Sequence, residues 1–400
     1  MQAGNITRNR TRRRFLKDCS APALGLCSIP LFGQGSATTQ RGAAPPASSD
    51  WSALIADLEK RLPTLLVQAP TVPAVSMALV AGAKIVWEGA FGVRDFDSKT
   101  PVDRDTIFEV GSVSKTVFAY RVMKLCERGV LDLDRPLTKY TPDRILKEDP
   151  RLDLITTRHV LSHTTGLQNW RSTKEPLAIH FTPGERWGYS GEGYSYLQSV
   201  VTHLEGHIDL NNCKTFFDGV RACATDFDSY MKANLLVPFG MTSSGYLYRE
   251  GMARPYDDKG RLIGDQKGFP TAVEASRYGS AGGLHTTPTD YARFLIEVIQ
   301  PKPSDAYRLS ASSLTEMVRP QVQVKDSLWW GLSWAIEHTN DGDLIAHSGD
   351  NPGYKALAAA SIPRKAGFII MTNGDRGYDE IIAKVVTSEP MQRFLPTALV

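Results

Sequence analysis

The stretch Phe108-Glu109-Val110-Gly111-Ser112-Val113-Ser114-Lys115 is the part of this sequence that most constrains its fold and chemistry. An apolar lead-in ends at a glycine, and the residues from about Ser112 to Arg128 then have the spacing of a helix that Gly129 would end. The helical stripe expected to face inward consists of Ser112, Lys115, Ala119, Val122 and Cys126. The stripe expected to face water consists of Arg121, Lys124 and Arg128.

The serine and lysine that open the inward stripe have the spacing of a catalytic pair. At positions i and i+3 of a helix the amine of Lys115 can reach the hydroxyl of Ser112, and burial lowers the pKa of an ammonium toward that of a useful base. The helix N-terminus adds positive potential where an oxyanion would form. The alternative is structural, with Ser112 as a helix cap and Lys115 extended to solvent. Because Ser-x-x-Lys arises by chance about once in a chain of this length, the choice depends on the rest of the sequence.

The first forty residues have the features of an export signal. Thr11-Arg12-Arg13-Arg14-Phe15-Leu16-Lys17 matches the twin-arginine pattern, and an apolar run from Ala21 to Phe32 follows it. Small residues at Gly35-Ser36-Ala37 then suit a signal peptidase. The alternative is a basic disordered arm that binds nucleic acid or an anionic surface, but it does not explain the order of basic, apolar and small residues.

The predicted domain organisation follows from this signal. We predict a twin-arginine signal peptide over residues 1–40, a linker over 41–50, and a domain over 51–400 that is periplasmic or secreted. The formal net charge of the chain is +3, but residues 1–40 contribute +5, so residues 41–400 carry −2. This balance gives no reason to expect a nucleic-acid partner, and no later stretch is apolar enough to span a membrane. The expected partner is a small molecule, and the sequence does not indicate an oligomeric state.

The cysteines are consistent with an exported protein. Cys126 lies on the inward stripe and is expected to be a free core thiol. Cys213 and Cys223 close a short loop, and a bridge between them in an oxidising compartment would stabilise the fold by up to about 3 kcal/mol. Three cysteines without a convergent set of histidines do not form a zinc site, and no cofactor is expected.

The spacing of apolar residues predicts an α+β fold. A helix is expected over Trp51–Leu66, and two strands joined by a turn are expected over Pro73–Val80 and Lys84–Phe91. A mostly helical region follows from about residue 130 to 325. The later elements are expected to be strands over Leu328–Glu337, Leu344–His347, Tyr354–Ser361 and Gly367–Thr372, and a final helix over about Tyr378–Val386. Strands at both chain ends predict one antiparallel sheet flanked by helices, with the helical region inserted between its halves.

Two later motifs stand in the right order to meet the Ser-Lys pair. In the segment Phe181–Tyr194 a Pro-Gly turn leads to Tyr189 in a glycine-rich loop, just before a predicted helix. The motif His347-Ser348-Gly349-Asp350 ends a predicted strand. Taken singly, Tyr189 fits a half-buried core aromatic and the histidine fits an ordinary strand residue. Taken together in this order, the motifs indicate one site.

These motifs resemble those of the serine β-lactamase and penicillin-binding-protein superfamily, in the branch of class C β-lactamases, D-stereospecific peptidases and family VIII esterases. The resemblance covers nearly all of residues 51–400 and implies a β-lactamase/transpeptidase-like fold. The matching segments are Phe108–Lys115, Ile155–Leu167, Leu236–Met241, Ser280–Leu284 and Asp290–Phe294. His159 and His163 have the i, i+4 spacing of zinc ligands, but they lack the adjacent glutamate of a zincin and lie where this superfamily has structural histidines. We therefore assign both to packing and expect no metal.

The resemblance implies a role for each motif. Ser112 would be the nucleophile that forms an acyl-enzyme, Lys115 would activate it, and Tyr189 would share the role of base. The backbone N–H groups of Ser112 and Asp350 would form the oxyanion hole. The residues implied in substrate binding are His347, Ser348 and Gly349. Whether Lys115 or Tyr189 takes the proton is left open, because two coupled groups titrate as a pair.

Two departures from the superfamily's motifs bear on the substrate. The usual Tyr-x-Asn is Tyr189-Ser190-Gly191 in this chain, so a carboxamide is missing. The usual Lys-Thr-Gly is His347-Ser348-Gly349, which replaces a permanent cation with an imidazole that is mostly neutral near pH 7. The carboxylate of a β-lactam or of D-Ala-D-Ala would lose its charged partner, which favours esters or other acyl compounds. The segment His207–Asp226 is expected to be an insertion at the rim of the site.

The sequence leaves three functions open. We expect an exported serine hydrolase of esterase type that acts on a small-molecule ester, amide or peptide. The first alternative is a D-stereospecific peptidase, a DD-carboxypeptidase or a weak class C β-lactamase, which the missing asparagine and lysine disfavour. The second is a non-catalytic binding protein on the same scaffold, which the presence of Ser112, Lys115 and Tyr189 disfavours.

Overall fold

The structure is a computed structural model that describes residues 51–141, 144–205, 216–217, 220–221, 224–264 and 278–397. The predicted signal peptide and linker lie outside these residues, and so does most of the predicted rim insertion. Cys213 and Cys223 also lie outside them, and with them the predicted disulfide. Cys126 is a free thiol, as predicted, and its half-buried side chain packs against the edge of the larger core instead of lying inside it.

An antiparallel sheet of eight strands is the centre of the fold. The strands in chain order are β1 (Ala74–Ala81), β2 (Lys84–Gly92), β3 (Phe108–Glu109), β4 (Phe216–Phe217), β5 (Val220–Arg221), β6 (His285–Thr286), β7 (Val322–Lys325), β8 (Leu328–Trp330), β9 (Ala335–Thr339), β10 (Gly342–Asn351), β11 (Tyr354–Ser361) and β12 (Ala366–Thr372). The order in the large sheet is β2-β1-β12-β11-β10-β9-β8-β7, and β3-β6 and β4-β5 form two small ribbons. Because β1 pairs with β12, the sheet joins strands from both ends of the domain. The predicted α+β fold is therefore confirmed.

Helices cover both faces of this sheet. The α-helices are α1 (Ser52–Gln68), α2 (Ser114–Glu127), α3 (Thr157–Leu161), α4 (Gly191–Glu205), α5 (Ala224–Met231), α6 (Pro288–Ile299), α7 (Ala311–Val318), α8 (Ala383–Val386) and α9 (Glu389–Phe394). Turns of 3₁₀-helix lie at Gly111–Val113, Leu137–Lys139 and Pro150–Leu154, and π-helical turns lie at Lys232–Leu236 and Tyr378–Ile382. Over the described ranges, every helix is too short or too polar to cross a lipid bilayer.

The apolar residues form two cores, one on each face of the sheet. Along β1, Met77 and Leu79 belong to one core, whereas Ala78 and Val80 belong to the other, as the alternation of a strand requires. The first core packs the sheet against α1 and the C-terminal helices. The second and larger core packs it against α2 and against the inserted helical region, including α4 and α6. The sheet is thus the middle of three layers, and α2 lies deep in one of the outer two.

The burial of α2 corrects one prediction. Arg121 and Lys124, which were predicted to face water, are both buried. Arg121 forms an ion pair of 2.9 Å with Glu205 at the end of α4, and Lys124 forms one of 2.6 Å with Glu127. Helical periodicity separates a polar from an apolar face, but it does not show that a further layer of the protein covers the polar face. Here that layer includes the carboxylate that compensates the buried Arg121.

The C-terminal part of the sheet differs from the prediction in its details. The predicted strand Leu328–Glu337 is two strands, β8 and β9, separated by a turn in which Ser333 has φ +77°. Strand β7 lies inside the region that was predicted to be mostly helical. Strand β10 continues to Asn351, so the motif that begins at His347 lies within a strand and not at its end. Helix α9 has no counterpart among the predicted elements.

Strand β10 approaches the 3₁₀ turn of Ser112 through two glycines, a feature called the glycine contact below. A Cβ atom on Gly349 would lie 1.9 Å from the carbonyl oxygen of Val110. Gly111 has φ +51°, and a Cβ atom there would lie 2.7 Å from the amide nitrogen of Asp350. Both distances are shorter than real Cβ contacts, so a side chain at either position would push the strand away from the turn.

Substitution of Gly349 tests this contact. Gly349→Ala is expected to lower the free energy of unfolding by about 3 kcal/mol, because its methyl group would overlap backbone atoms that have little freedom to move. The control is Gly129→Ala. Gly129 has φ +71°, but a Cβ atom added there would meet no atom of the described residues within 4 Å, so only the backbone strain of about 1 kcal/mol remains. Urea unfolding of both variants gives the comparison. Equal losses would show that β10 does not lie against the turn at this point.

Candidate active site

The side chains of Ser112 and Lys115 meet at the start of α2. Ser112 lies in the 3₁₀ turn and is half-buried, whereas Lys115 lies in the first turn of α2 and is fully buried. The Nζ atom of Lys115 is 3.0 Å from the Oγ atom of Ser112. It also donates a hydrogen bond to the carbonyl oxygen of Ala281. The i, i+3 spacing in the sequence therefore corresponds to a direct contact between amine and hydroxyl.

Burial determines the charge of Lys115. Removal of the amine from water lowers the pKa of Lys115 to about 7. The ring centroids of Tyr189 and Tyr194 lie 5.0 and 5.4 Å from Nζ, and within the described part of the chain no carboxylate forms an ion pair with it. Because the carbonyl of Ala281 occupies one N–H, a neutral amine can direct its lone pair at the Ser112 hydroxyl. An amine in this state and position can serve as a general base.

Tyr189 brings a phenol to the same serine. It stands two residues before α4, and its hydroxyl group forms a hydrogen bond with the side chain of Ser112. Burial raises the pKa of Tyr189, and the hydrogen bond with Ser112 opposes this effect only in part. The phenol therefore keeps its proton at a pH where Lys115 has lost much of its own. Three residues that the sequence predicts for the site, Ser112, Lys115 and Tyr189, are thus brought together.

His347 lies beside these groups as a neutral imidazole. Burial lowers the pKa of His347 to about 3, and the positive charge of Lys115 adds to the effect. Its Nδ1 atom lies 2.7 Å from the carbonyl oxygen of Ser348, which can only accept, so the ring proton is on Nδ1. Its ring centroid is 5.5 Å from that of Trp330 and 6.3 Å from that of Tyr189. At this place in β10 the site therefore offers an uncharged acceptor nitrogen instead of a cation.

The amide group of Asp350 lies next to the turn that carries Ser112. The glycine contact places the nitrogen of Asp350 against Gly111, the residue before the serine. The carboxylate of Asp350 is exposed and forms an ion pair of 2.8 Å with Lys355 on β11. Ser348 is half-buried between the histidine and Gly349. The backbone nitrogen of Asp350 therefore lies next to the residue that precedes Ser112, and an oxyanion hole formed by the two N–H groups requires such an approach.

Trp170 covers the third position of the Tyr189-Ser190-Gly191 motif. A Cβ atom on Gly191 would lie 2.5 Å from ring atoms of Trp170, and Tyr278 packs edge-on against the same indole at 4.9 Å between ring centroids. The N–H of Gly191 donates to the side-chain oxygen of Asn169 at 2.9 Å. An indole therefore occupies the space that a longer side chain at position 191 would need.

Three further rings belong to the site and were not predicted to. Trp330 lies 5.9 Å from the Tyr189 ring, and Trp187 lies 5.8 Å from Trp330, measured between centroids. His163, which was predicted to serve packing, has its ring centroid only 4.1 Å from that of Tyr189. The one signal in the sequence is that Trp187 stands two residues before Tyr189. The positions of Trp330 and His163 depend on strand register and loop conformation, which the sequence does not display.

The two histidines with zinc-like spacing bind different partners. The backbone N–H of His159 donates to Oγ1 of Thr156 at 3.2 Å, and its Nδ1 accepts from the N–H of Thr156 at 3.3 Å, which caps α3. His163 instead faces Tyr189. Across the residues described by the structure, no group of three or more histidine, cysteine, aspartate and glutamate side chains is arranged to hold a metal ion.

Comparison with known proteins establishes the family. A sequence model of the beta-lactamase family matches residues 62–387, which is most of the domain. The chain belongs to the beta-lactamase family. It is therefore a serine hydrolase, and the cluster around Ser112 is its candidate active site.

Individual relatives of this beta-lactamase-family protein are distant in sequence. Penicillin-binding protein 4* of Bacillus subtilis is 22% identical over 339 residues, which cover 76% of this chain and 69% of that protein. The D-alanine carboxypeptidase AmpC of Burkholderia cenocepacia has a TM-score of 0.66 and 19% identity, and the match covers 86% of this chain and 99% of that one. The octameric penicillin-binding protein homologue of Pyrococcus abyssi has a TM-score of 0.65 and 21% identity, over 85% and 79% of the two chains. At these identities the two structures support the shared fold only.

The charge of Lys115 predicts an acid limb in the pH dependence of hydrolysis. Since Lys115 must be neutral to take the proton of Ser112, kcat/KM for an uncharged ester is expected to fall about tenfold per pH unit below about pH 7 and to level off above it. Initial rates of p-nitrophenyl acetate hydrolysis, corrected for the spontaneous reaction, measure this. Lys115→Arg stays charged at every pH and is expected to be at least about 100-fold slower throughout. An acid limb centred near pH 4, or no limb, would exclude Lys115 as the base.

Proposed function

We propose that this protein is an exported serine hydrolase that forms an acyl-enzyme on Ser112 and prefers esters that lack a carboxylate near the reacting bond. The proposal is carried by the 3.0 Å contact between the buried amine of Lys115 and the hydroxyl of Ser112. Burial of an amine without an anionic partner is unfavourable for folding. A buried amine that activates a serine would explain why the fold tolerates this unfavourable burial.

Acylation uses the amine as base. Lys115 takes the proton of the Ser112 hydroxyl as the serine oxygen bonds to the ester carbonyl carbon, and the carbonyl electrons move to its oxygen. The N–H groups of Ser112 and Asp350 bind that oxyanion, each contributing about 2.7–4 kcal/mol to the transition state. Tyr189 passes its phenolic proton to the departing alcohol and recovers one from Lys115. The C–O bond to the alcohol breaks, the acyl group remains on Ser112, and Lys115 is neutral again.

Deacylation repeats the same proton transfers, with water as the nucleophile. Tyr189 and Lys115 together remove a proton from a water molecule that attacks the acyl carbon, and the same two N–H groups hold the oxyanion. The proton then moves to the oxygen of Ser112 as its bond to the acyl group breaks. The carboxylic acid leaves, and the free enzyme has the protonation states with which it began. This division of roles follows from a Lys115 pKa that burial lowers and a Tyr189 pKa that burial raises.

The lining of the site supports esters as the substrate class. His347 is uncharged because its pKa is lowered to about 3, so this position offers no cation to a substrate carboxylate. Trp170 fills the space beside Gly191, so position 191 itself supplies no side-chain amide to a substrate amide. Trp187 and Trp330 add apolar surface near Tyr189. An alcohol is also an easier leaving group than an amine, so an ester makes smaller demands on the protonation step.

A D-alanine carboxypeptidase or weak β-lactamase is the second candidate. The observations in its favour are the fold shared with the Burkholderia cenocepacia D-alanine carboxypeptidase and the sequence likeness to the Bacillus subtilis penicillin-binding protein. A substrate that ends in D-alanine carries a carboxylate, and the neutral His347 gives it no charged partner. A non-catalytic binding protein ranks third, because binding alone does not require the contact between Lys115 and Ser112.

Export is proposed from the sequence of residues 1–40, with Arg12 and Arg13 as the central pair. The full chain, expressed in a bacterium with a twin-arginine pathway, is expected in the periplasmic or secreted fraction. Retention of an Arg12→Lys/Arg13→Lys variant in the cytoplasm would support this pathway. An unchanged distribution would contradict it.

A substrate panel and one substitution test the proposed reaction. We expect kcat/KM for a short-chain p-nitrophenyl ester to exceed that for a chromogenic cephalosporin or a D-Ala-D-Ala peptide by at least about 100-fold. Ser112→Ala is expected to lower ester hydrolysis by at least about 10⁴-fold and to abolish the adduct that a fluorophosphonate probe forms, as read by intact-protein mass spectrometry. Ser312→Ala, an exposed serine on α7, should change neither.

Each other outcome of this panel has a definite meaning. Faster turnover of the peptide or the cephalosporin would overturn the ester preference while leaving the acyl-enzyme in place. Hydrolysis at the wild-type rate by Ser112→Ala would refute the nucleophile. No turnover of any substrate together with no adduct on Ser112 would favour the binding protein.

A further inference from the structure

His163 is an unusual residue for simple packing. It lies two residues after the end of α3, is completely buried, and has φ +56°, a conformation that costs a non-glycine residue of order 1 kcal/mol or more. A buried imidazole normally has partners for both ring nitrogens, but the Nε2 atom of His163 has no hydrogen-bond partner among the described residues. An aliphatic side chain would fill the same space without the ring nitrogens, so a further reason for a histidine is required.

His163 forms hydrogen bonds with both sequence neighbours of Tyr189. The N–H of Ser190 donates to the Nδ1 atom of His163 at 3.1 Å. The N–H of Gly188 donates to the backbone carbonyl of His163 at 2.7 Å. The residue before Tyr189 and the residue after it are therefore both hydrogen-bonded to the same histidine.

The ring of His163 also lies against the phenol itself. The two ring centroids are 4.1 Å apart with an angle of 33° between the planes. Other rings hold the imidazole in place, since Tyr194 lies 5.3 Å from it and Trp330 lies 5.1 Å from it in an edge-on arrangement. The side chain of His163 thus holds Tyr189 through the N–H of Ser190 and through the phenol ring, while its backbone carbonyl holds Gly188.

The imidazole acts as a neutral group. Because Nδ1 accepts a hydrogen bond from Ser190, the ring proton is on Nε2. Burial lowers the pKa of His163 well below its ordinary value, and the nearby Lys115 and His347 lower it further. The ring therefore contributes geometry to the site and no charge over the range in which Lys115 titrates.

We propose that His163 is a positioning residue that holds the phenol of Tyr189 at the oxygen of Ser112. It acts through Tyr189 and does not itself touch the substrate. The inference rests on the proposed role of Tyr189 as proton carrier. If it is correct, loss of His163 impairs the proton transfers of Tyr189 and leaves the binding of substrate almost unchanged.

Two variants of His163 separate positioning from packing. His163→Ala removes both the acceptor and the ring, and we expect kcat to fall by about 10–100-fold with KM within about threefold of wild type. His163→Asn is the conservative variant, because its side-chain oxygen can accept from Ser190 and asparagine tolerates positive φ. It is expected to recover at least about a third of the wild-type kcat. The control is His159→Ala, which removes a helix-cap histidine from the same segment without touching Tyr189 and should leave kcat unchanged.

A double-mutant cycle with Tyr189→Phe completes the test, using the full-length protein and a p-nitrophenyl ester. In the Tyr189→Phe background, His163→Ala is expected to change kcat by less than about twofold, because the phenol on which it acts is gone. Thermal melting of each variant identifies any that fail to fold, and His163→Asn then takes the place of His163→Ala in the cycle, where it too should have no effect without the phenol.

The outcomes distinguish this inference from the proposed function. If Tyr189→Phe lowers kcat but the His163 substitution lowers it by the same factor in both backgrounds, the role of His163 is structural and the inference fails while the proposed function stands. Wild-type kcat for His163→Ala also overturns the inference. If Tyr189→Phe itself has the wild-type rate, the role proposed for Tyr189 fails and the inference fails with it.

Discussion

The active site depends on a lysine amine that is removed from water and held 3.0 Å from a serine oxygen. A charged ammonium without an anionic partner is costly in a protein interior. Among the described residues, this amine lies against the carbonyl group of Ala281 and the faces of two tyrosine rings. The environment therefore shifts the lysine toward its neutral form. The burial that makes Lys115 unfavourable for folding is also what makes it a base near neutral pH.

The two parts of the fold meet at this amine. The helical layer supplies Ser112 in the 3₁₀ turn, Lys115 on α2 and Tyr189 before α4, and the sheet supplies the motif on β10. The glycine contact sets the distance between the two parts, and the side-chain amide of Asn351, at the end of β10, donates to Glu109 just before the turn and to the carbonyl of Gly282 at 3.0 Å. Because the motif on β10 is paired along its length with β11, its position is fixed by the neighbouring strand of the sheet.

The sequence predicted the elements that depend on local pattern. The alternation of strands at both ends gave the antiparallel sheet, and the i, i+3 spacing of Ser112 and Lys115 anticipated their contact. Prediction from the sequence failed where distant parts of the chain form the surroundings of a residue. Arg121 and Lys124 look exposed on a helical wheel, yet a second layer of structure covers them and pairs Arg121 with Glu205.

Backbone conformation was the other feature that the sequence did not display. The interruption of the strand near Ser333 depends on its positive φ, and so does the placement of His163 beside Tyr189. A serine or histidine in either place carries no sign of that conformation, because most such residues adopt negative φ. The contact between Trp170 and Gly191 was likewise not predictable from the sequence, because only the fold brings this indole into the space beside Gly191.

The most direct test of the account is a measurement of the pKa of Lys115 itself. Protein labelled with ¹³C at the lysine ε-carbon gives one NMR signal for each lysine, and the signal absent from a Lys115→Arg variant identifies the residue. Because Lys115 is buried without an anionic partner among the described residues, this signal is expected to titrate with a midpoint of about 7, well below those of the exposed lysines. A midpoint near the ordinary lysine value of about 10.4 would show that Lys115 stays charged beside Ser112, and it would contradict the proposed use of its amine as the base.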